Sequence, residues 1–234
     1  MYYKENYFIF NDFDSRDYGI HIEEMPEIIR PEEKIDIVKV DGRDGFLSYS
    51  TGAYESFQLS ITCKLKDETL INTICGTFRG TGKLILSTLP ECYYNVLIKN
   101  QISFERVFRK FRSFTIVFEC QPYRYEIENY PLTYTKTSSP IKVNLFNPTN
   151  ATFLPTIKVY GNGSTTMTIN GNEFKLTIDD YMELSFETED ATKDGANRNN
   201  KIYGEFVPLI QGMNEITCGT SITKLEITPN FRWC

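Results

Sequence analysis

The single histidine, His21, is the natural starting point for a search for catalytic chemistry. A Ser-His-Asp or Cys-His arrangement would have to use it, because a positioned imidazole activates the nucleophile in such sites. No G-x-S-x-G sequence occurs in the chain, and His21 alternates with two isoleucines in the pattern of a short strand. One histidine also cannot build a histidine-rich metal site. We therefore interpret His21 as an ordinary strand residue.

A second candidate is the acidic stretch Asp190–Gly195, which resembles the start of a calcium-binding loop. Such a loop needs a bidentate glutamate at its twelfth position, and that position is Lys201, whose charge would repel the cation. We therefore expect a polar, mobile loop over residues 188–201. Neighbouring carboxylates could also suggest a glycosidase. We interpret them as acidic groups at strand ends on a negatively charged surface: Asp179, Asp180, Glu187, Glu189 and Asp190.

Basic and aromatic side chains alternate over residues 104–112, a pattern that can bind single-stranded nucleic acid. The same pattern arises in a hairpin with one buried and one solvated face, and we favour the hairpin. The residues concerned are Phe104, Arg106, Phe108, Arg109, Lys110, Phe111 and Arg112. Glycines 76, 80 and 82 lie at or after a predicted helix, so they do not form a phosphate-binding loop. A net charge of −6 also argues against a protein that grips nucleic-acid phosphates.

The cysteines form no C-x-x-C pair, which removes support for zinc or thioredoxin-type chemistry. We expect reduced and mostly buried thiols at Cys63, Cys75, Cys92, Cys120, Cys218 and Cys234. The start of the chain shows no secretory signal, and no apolar run approaches the ~20 residues of a membrane helix. We therefore expect a soluble protein that is made in a cytoplasm. No cofactor, metal ion or membrane partner is predicted.

The elements that position these residues are predicted to be mainly β. Tyr and Phe make most of the 14% aromatic content, which favours half-buried strands. Residues 57–65 alternate most cleanly. One helix is expected after Asp67, with Ile74 and Phe78 on its apolar face. Further strands are expected in the first half at 7–11, 18–22, 35–40, 83–87, 93–98, 104–108 and 111–120.

The second half is predicted to be all β. Asn170-Gly171 is typical of a two-residue hairpin turn, and Asn162-Gly163 predicts another turn. Residues 128–140 contain two prolines and a Thr/Ser cluster, so we place a domain boundary there, between domains 1–130 and 131–234. The regular short strands predict a sandwich or jelly roll. They are expected at 141–146, 156–160, 164–169, 173–178, 182–187, 202–207, 213–218 and 222–228.

One corner stands out in the first half. Gly42 and Gly45 bracket Arg43 and Asp44 between apolar residues, and glycine reaches positive φ without a steric penalty. The corner follows residues 24–34, which carry two prolines and four glutamates and read as an exposed, extended arm. Residue chemistry alone leaves this corner as a surface turn, in which Arg43 pairs with a local carboxylate.

Several segments of the first half, in order, resemble the N-terminal domain of the distal tail protein (Dit) of long-tailed phages with Gram-positive hosts. The second half looks like the galectin-like sandwich that follows in that family, on the evidence of residues 169–171, 208–214 and 227–233. The segments of the first half are 8–11, 15–20, 42–45, 52–55, 90–94 and 118–123.

The resemblance implies a fold class and a structural role. The fold would be mainly β, with an N-terminal β-sandwich-like domain carrying one helix and an extended arm, followed by a C-terminal galectin-like β-sandwich. The protein would form a hexameric ring at the distal end of a long non-contractile tail, in the virion, with a channel through which DNA passes without specific binding. Expected partners are other copies of the chain, the tail tube protein, the tail-associated hub or lysin protein, and receptor-binding or baseplate proteins.

Two alternatives stay open beside this structural role. A galectin-like fold suggests sugar binding, but the second half has no histidine and its tryptophan, Trp233, is the penultimate residue. The galectin pattern is therefore missing, and we expect a docking scaffold there. The runner-up is a carbohydrate-binding β-sandwich module that recognises the host cell wall, and a wall hydrolase is a distant third. Under the leading hypothesis, Gly42, Arg43, Asp44 and Gly45 shape a contact between subunits.

Overall fold

A computed structural model describes residues 5–108, 111–137 and 140–234 of the chain. The chain divides into two compact units, residues 1–124 with Cys234 and residues 125–233. Arg109 and Lys110 of the predicted basic hairpin, and Ser138 and Ser139 of the predicted boundary, lie outside the described residues. Strands dominate both units, so the expectation of a mainly β protein is confirmed.

The first unit is built on one large sheet with the strand order β2-β1-β7-β8-β10-β6-β3, and β9 pairs with β10. A separate two-stranded sheet is formed by β4 and β5. The strands are β1 (Phe8–Phe10), β2 (Phe13–Asp14), β3 (Ile20–Ile22), β4 (Glu33–Val38), β5 (Leu47–Tyr54), β6 (Phe57–Leu65), β7 (Gly80–Leu86), β8 (Leu89–Ile98), β9 (Glu105–Phe108) and β10 (Phe111–Glu126).

The alternation of residues 57–65 produces β6, whose odd positions Leu59, Ile61, Cys63 and Leu65 are buried. The predicted helix is confirmed but short. A 3₁₀ turn over Glu68–Leu70 leads into α1 (Ile71–Thr77), and the Asp67 carboxylate accepts a hydrogen bond from the Thr69 N–H at 2.9 Å.

Aromatic rings link the helix to the sheet in this core. Phe78 contacts Phe8, Phe10 and Phe13, with ring centroids 4.9–5.8 Å apart. Cys75, by contrast, faces solvent. The expected hairpin is present as the antiparallel pair β9 and β10, but Val107 and Phe111 are 45% and 40% exposed, so the predicted buried face is not seen among its described residues.

The second unit is organised by one long hairpin of β13 (Thr156–Ile169) and β14 (Asn172–Ser185), which pair without a register shift over all fourteen residues. The other strands are β11 (Leu132–Thr135), β12 (Lys142–Asn147), β15 (Asp190–Lys193), β16 (Ala196–Asn197), β17 (Ile202–Tyr203), β18 (Gly212–Cys218), β19 (Ile222–Thr228) and β20 (Arg232–Trp233), and a 3₁₀ turn spans Asn199–Lys201.

The predicted turn at Asn162-Gly163 is wrong. β13 runs through this point as a bend, so its first half pairs with β19 and its second half with β18. Gly161 is required there, because a Cβ at this position would lie 2.3 Å from the Ser221 carbonyl oxygen. Gly163 has φ +86°, and Asp180, opposite Gly161, has φ +68°. The two strands predicted on either side are therefore two arms of one bent strand.

The expected mobile loop over residues 188–201 and the expected strand 202–207 are also corrected. The loop forms β15, β16 and the 3₁₀ turn, and its ends are held by β14. Only Ile202 and Tyr203 of the second segment are strand. The Asn170-Gly171 turn is confirmed, since both residues have positive φ, 48° and 84°, as a type I′ turn requires.

Candidate assembly surface

The hairpin of β4 and β5 is the most unusual feature of the first unit, because it carries exposed apolar side chains on both faces. Ile35 lies opposite Ser50 and Ile37 opposite Ser48, so the two isoleucines share one face. Val38 and Leu47 lie opposite each other, and Tyr49 lies on the same side as they do. The exposed fractions of these five residues run from 43% for Leu47 to 69% for Tyr49.

Further apolar residues extend the exposed surface beyond the two strands. Val40 and Phe46 flank the tip and are 44% and 61% exposed. Ile28 and Ile29 belong to the preceding arm and are 53% and 40% exposed. We call residues 28–54 the arm hairpin. A soluble protein rarely leaves a contiguous apolar surface of this kind without a partner, so the arm hairpin is the candidate interaction surface.

Hydrogen bonds join the two sides of the arm hairpin near its base, and one ring contact attaches this base to the rest of the first unit. The Glu55 N–H donates to the Glu32 carbonyl oxygen at 2.8 Å, and the Thr51 hydroxyl donates to the Lys34 carbonyl oxygen at 3.1 Å. The Tyr54 ring packs edge-on against the Tyr123 ring, with centroids 6.0 Å apart. Within the described residues, β4 and β5 pair with no other strand, so the hairpin is held from its base. A lone two-stranded hairpin is marginally stable in water, so its distal part needs cover from elsewhere.

The sequence-predicted corner forms the tip of this hairpin. Gly42 and Gly45 adopt φ of 78° and 81°, which confirms the conformational reason for two glycines there. The Arg43 N–H donates to the Val40 carbonyl oxygen at 3.2 Å. Within the described part of the chain, the Arg43 side chain has no hydrogen-bond or ion-pair partner, contrary to the expected local carboxylate contact. The guanidinium is therefore free to contact another molecule.

Charge on the arm hairpin is mixed, since acidic and basic side chains alternate along β4 and the tip. These are Glu33, Lys34, Asp36, Lys39, Asp41, Arg43 and Asp44. The surface therefore does not select a partner of one charge sign. Apolar burial with scattered ion pairs is the kind of contact it can make.

The other candidate residues from the sequence are dispersed over the two units and form no common site. His21 lies exposed on β3, opposite Lys64 of β6. Asp179 pairs with Lys193 at 3.3 Å, and Arg112 pairs with Glu68 at 3.0 Å. Among the described residues, no group of three or more His, Cys, Asp or Glu side chains is arranged to hold a metal ion.

Three buried thiols are poorly suited to act as nucleophiles. Burial raises the pKa of Cys63, Cys120 and Cys218 to about 12, so these groups stay protonated near neutral pH. In the described ranges, no helix is both long and apolar enough to span a bilayer.

Sequence reasoning missed β5, which is half of the arm hairpin. The signal was present, because Leu47 to Thr51 is rich in strand-forming residues and directly follows a glycine turn. The pattern lacks a clean apolar face, because no face of this hairpin packs on the core, and that is why alternation did not reveal it.

Comparison with known proteins gives a match in structure alone. No protein-family model matches the chain, and no curated protein sequence matches it. The fold is similar to the crystal structure of the SPP1 Dit (gp 19.1) protein, described as a paradigm of hub adsorption apparatus in phages that infect Gram-positive bacteria. The TM-score is 0.75 at 15% sequence identity, over 99% of this chain and 100% of that chain. The resemblance in fold that the sequence predicted is therefore confirmed.

Proposed function

We propose that this protein is a structural subunit of a phage tail tip, and that six copies close into a ring at the distal end of a long non-contractile tail. The similarity to a hub adsorption protein supports a tail hub role. The observation that carries the ring is the arm hairpin, which is attached at one end and apolar on both faces. In this proposal, the neighbouring copy of the same chain covers the arm hairpin.

A ring requires each subunit to offer two different surfaces, one of which reaches the next copy. An arm that projects apolar side chains on both faces meets this requirement, because a neighbour can bury one face or enclose both. Full burial of an Ile or Leu side chain contributes about 1.5–3 kcal/mol, so a few such residues suffice for a stable contact. Arg43 at the tip would then form a forked ion pair with a carboxylate of the neighbour. Gly42, Asp44 and Gly45 would shape that corner.

The two domains have different roles in this proposal. Residues 1–130 form the ring, and residues 131–234 form a galectin-like sandwich that serves as a docking scaffold outside it. The ring joins the tail tube protein to the tail-associated hub or lysin protein, and receptor-binding or baseplate proteins attach around it. The proposed location is the tail tip of the virion. The role is structural, without enzymatic activity, cofactor or membrane partner.

Passage of DNA through the ring is part of the same proposal. The net charge of −6 supports a lumen that repels phosphates, so nucleic acid would cross it without adhering.

Solution mass tests the ring directly. Light scattering of the purified protein, with and without tail tube protein, should give six times the 27.2 kDa chain mass, and negative-stain images should show a central hole. The double variant Ile37→Asp/Tyr49→Asp should remain monomeric, because each change places a charge in the contact. The matched control is Ile210→Asp/Met213→Asp, two exposed apolar residues of the second unit, and it should still assemble. A wild-type monomer under both conditions would refute the ring.

Arg43 is tested separately, because its contribution is a contact within the ring. Arg43→Ala should weaken the ring by about 1.5–3 kcal/mol per contact if the guanidinium binds a carboxylate, seen as dissociation at a lower salt concentration or a higher protein concentration than in the wild type. Rings of unchanged stability would remove the corner from the interface while leaving the rest of the arm hairpin in place.

A further inference from the structure

A groove on the second unit carries an inference that goes beyond the tail-tip role. β15 covers the outer edge of β14 at residues 183–185, and β17 covers the same edge at 175–176. Between them, residues 177–182 of β14 have no strand partner on that edge within the described chain. The gap opens a cleft of about 260 Å³, which is lined by Thr177, Asp179, Tyr181, Met182, Lys193, Arg198 and Lys201.

This cleft continues into a second one along the same strand. The second cleft has a volume of about 490 Å³ and shares Thr177 and Lys201 with the first. It ends at Tyr203, which is 76% exposed and pairs with Lys175 across β17 and β14. Tyr181 lies six residues along β14 from Lys175, a span of at most about 20 Å because the bend at Asp180 falls within it. We call this continuous depression the β14 groove. Its length suits an extended chain better than a small molecule.

The charge of the β14 groove is opposite to that of the whole chain. Four basic side chains line the two clefts, against one carboxylate, Asp179. The Lys193 ammonium is occupied, since it donates to the Asp179 carbonyl oxygen at 2.5 Å and lies 3.3 Å from that carboxylate. Lys175 lies 3.7 Å from Glu173 in an exposed pair. A local positive groove on a chain of net charge −6 concentrates anions at one place.

Arg198 and Lys201 are the other two basic side chains that line the β14 groove. Neither has a side-chain hydrogen bond or ion pair among the described residues. The Arg198 main chain is nevertheless fixed, because its N–H donates to the Ala191 carbonyl oxygen at 2.7 Å, and the Lys201 N–H donates to the Arg198 carbonyl oxygen at 2.8 Å. Both cations therefore come from an ordered turn. An arginine fork and a lysine point charge together suit a phosphate or carboxylate group.

The remaining lining is suited to hydroxyl groups and sugar rings. Thr177 lies opposite Ser164 and Lys175 opposite Thr166, so hydroxyl groups flank the row of cations. The exposed ring of Tyr203 stands at one end, whereas the Tyr181 ring at the other end already contacts the Tyr160 ring and has the Lys158 ammonium 4.2 Å from its centroid. A polar lining with one open aromatic platform offers hydrogen bonds along a ligand and stacking at one end.

From this lining we propose that the β14 groove binds an extended anionic glycopolymer, that is, a chain of sugar or polyol units carrying phosphate or carboxylate groups. An acidic peptide is the competing occupant. It is disfavoured because β15 and β17 block the strand edge on both sides of a six-residue gap, and because the lining offers no large exposed aliphatic anchor. The ligand chemistry differs from that of a galectin, since this half of the chain has no histidine and its tryptophan, Trp233, does not line the groove.

Titration calorimetry with the full-length protein tests the proposal. The probes are a glycerol-phosphate oligomer, an oligogalacturonate, uncharged dextran and poly-L-glutamate. At least one anionic glycan should bind, more tightly than dextran and more weakly as salt rises. The first two probes distinguish a phosphate from a carboxylate source. No binding of either anionic glycan above dextran would overturn the proposal. Tighter binding of poly-L-glutamate would do the same and would assign the groove to an acidic protein segment.

Variants locate the binding on the protein. Arg198→Ala/Lys201→Ala should lower the affinity for the bound glycan at least about tenfold. Lys66→Ala/Lys142→Ala removes the same charge from exposed positions outside the groove and should change the affinity less than about twofold. Equal losses in the two double variants would overturn the assignment.

Tyr203 provides a readout that does not depend on charge. Tyr203→Ala should lower the affinity by about three- to tenfold, and it cannot disturb the core because the side chain is 76% exposed. An unchanged affinity would contradict the role of the ring as a platform. Light scattering of the same variants separates this proposal from the tail-tip role, since groove variants should still form rings and arm-hairpin variants should still bind glycan.

Discussion

The hairpins β4–β5 of the first unit and β13–β14 of the second are both antiparallel, and their surroundings are opposite. β13 and β14 bury alternate residues on either side of the exposed stretch 162–166, and the side chains of Phe174, Ile157 and Leu184 are fully covered. In β4 and β5 no residue is buried. The comparison shows that an apolar hairpin can form without a buried face, and exposed apolar area of this kind is typical of interaction sites.

The tips of the two hairpins differ in the same way. Asn170 of the β13–β14 turn donates from its side chain to the Asn214 amide oxygen at 2.8 Å, and its own amide oxygen accepts from the Glu215 N–H at 2.9 Å. At the β4–β5 tip, a Cβ placed on Gly42 or Gly45 would meet no atom within 4 Å. The β13–β14 turn is therefore held by hydrogen bonds to a neighbouring strand, whereas the β4–β5 turn is exposed to solvent.

The largest expected difference between the hairpins is in core stability. Phe174→Ala should lower the free energy of unfolding of the second unit by about 3–5 kcal/mol, because it leaves a cavity in the core. Tyr49→Ala in β5 should change the stability of the monomer by less than about 0.5 kcal/mol. Urea unfolding followed by the fluorescence of Trp233, the only tryptophan, measures the first effect, and circular dichroism measures the second. A large loss for Tyr49→Ala would show that the arm hairpin is already packed.

Amide hydrogen exchange compares the same hairpins before and after assembly. In the monomer, the β4–β5 amides should exchange rapidly, since few contacts oppose local opening, while those of β13–β14 should be protected. Ring formation should slow exchange in β4–β5 about 100-fold, equivalent to ~2.7 kcal/mol, and leave β13–β14 unchanged. Slow amide exchange in β4–β5 of a proven monomer would contradict the predicted difference between the two hairpins.

Replacement of a turn glycine by alanine should change the stability differently in the two hairpins. Gly171→Ala should destabilise the second unit by about 1 kcal/mol, because φ is +84° and the neighbouring network holds the turn in place. Gly45→Ala, with φ +81°, should cost less in the monomer, since the free tip can change its conformation. Thermal unfolding of the two single variants gives the difference. Equal costs would indicate that the free tip is as constrained as the docked one.

The smallest expected effect is on the stability of the second unit at acidic pH. Hydrogen bonds from the Lys224 ammonium and then the Tyr160 hydroxyl lower the pKa of Glu226 below its ordinary value of 4.5. A carboxylate whose pKa is lower in the folded state than in the unfolded state stabilises the fold at pH values above its unfolded pKa. This stabilisation is lost as the pH falls through the folded-state pKa. Stability of the second unit should therefore decline below about pH 4.5, and Glu226→Gln should flatten that decline. Parallel pH profiles for wild type and variant, measured by Trp233 fluorescence, would contradict the assignment.

Much of the fold follows from local patterns. The alternation of residues 57–65 is sufficient for β6 because its apolar side chains repeat every second residue, and Asn170-Gly171 is sufficient for its turn because these residues tolerate positive φ. The same local reasoning predicted the glycine corner. The resemblance to distal tail proteins also rested on short segments of sequence, and the structural similarity supports it at the level of the fold.

What the sequence by itself determined is therefore the set of mainly β elements, the helix start at Asp67 and the two glycines at the corner. Tertiary structure alone decided which apolar strand stays uncovered, that Asn162-Gly163 is a bend, and that Arg198 and Lys201 line one groove with Tyr203. The physical reason is the range of the interactions. Turn conformation and alternation depend on neighbours in the chain, whereas burial, strand edges and clefts depend on which distant strands pair.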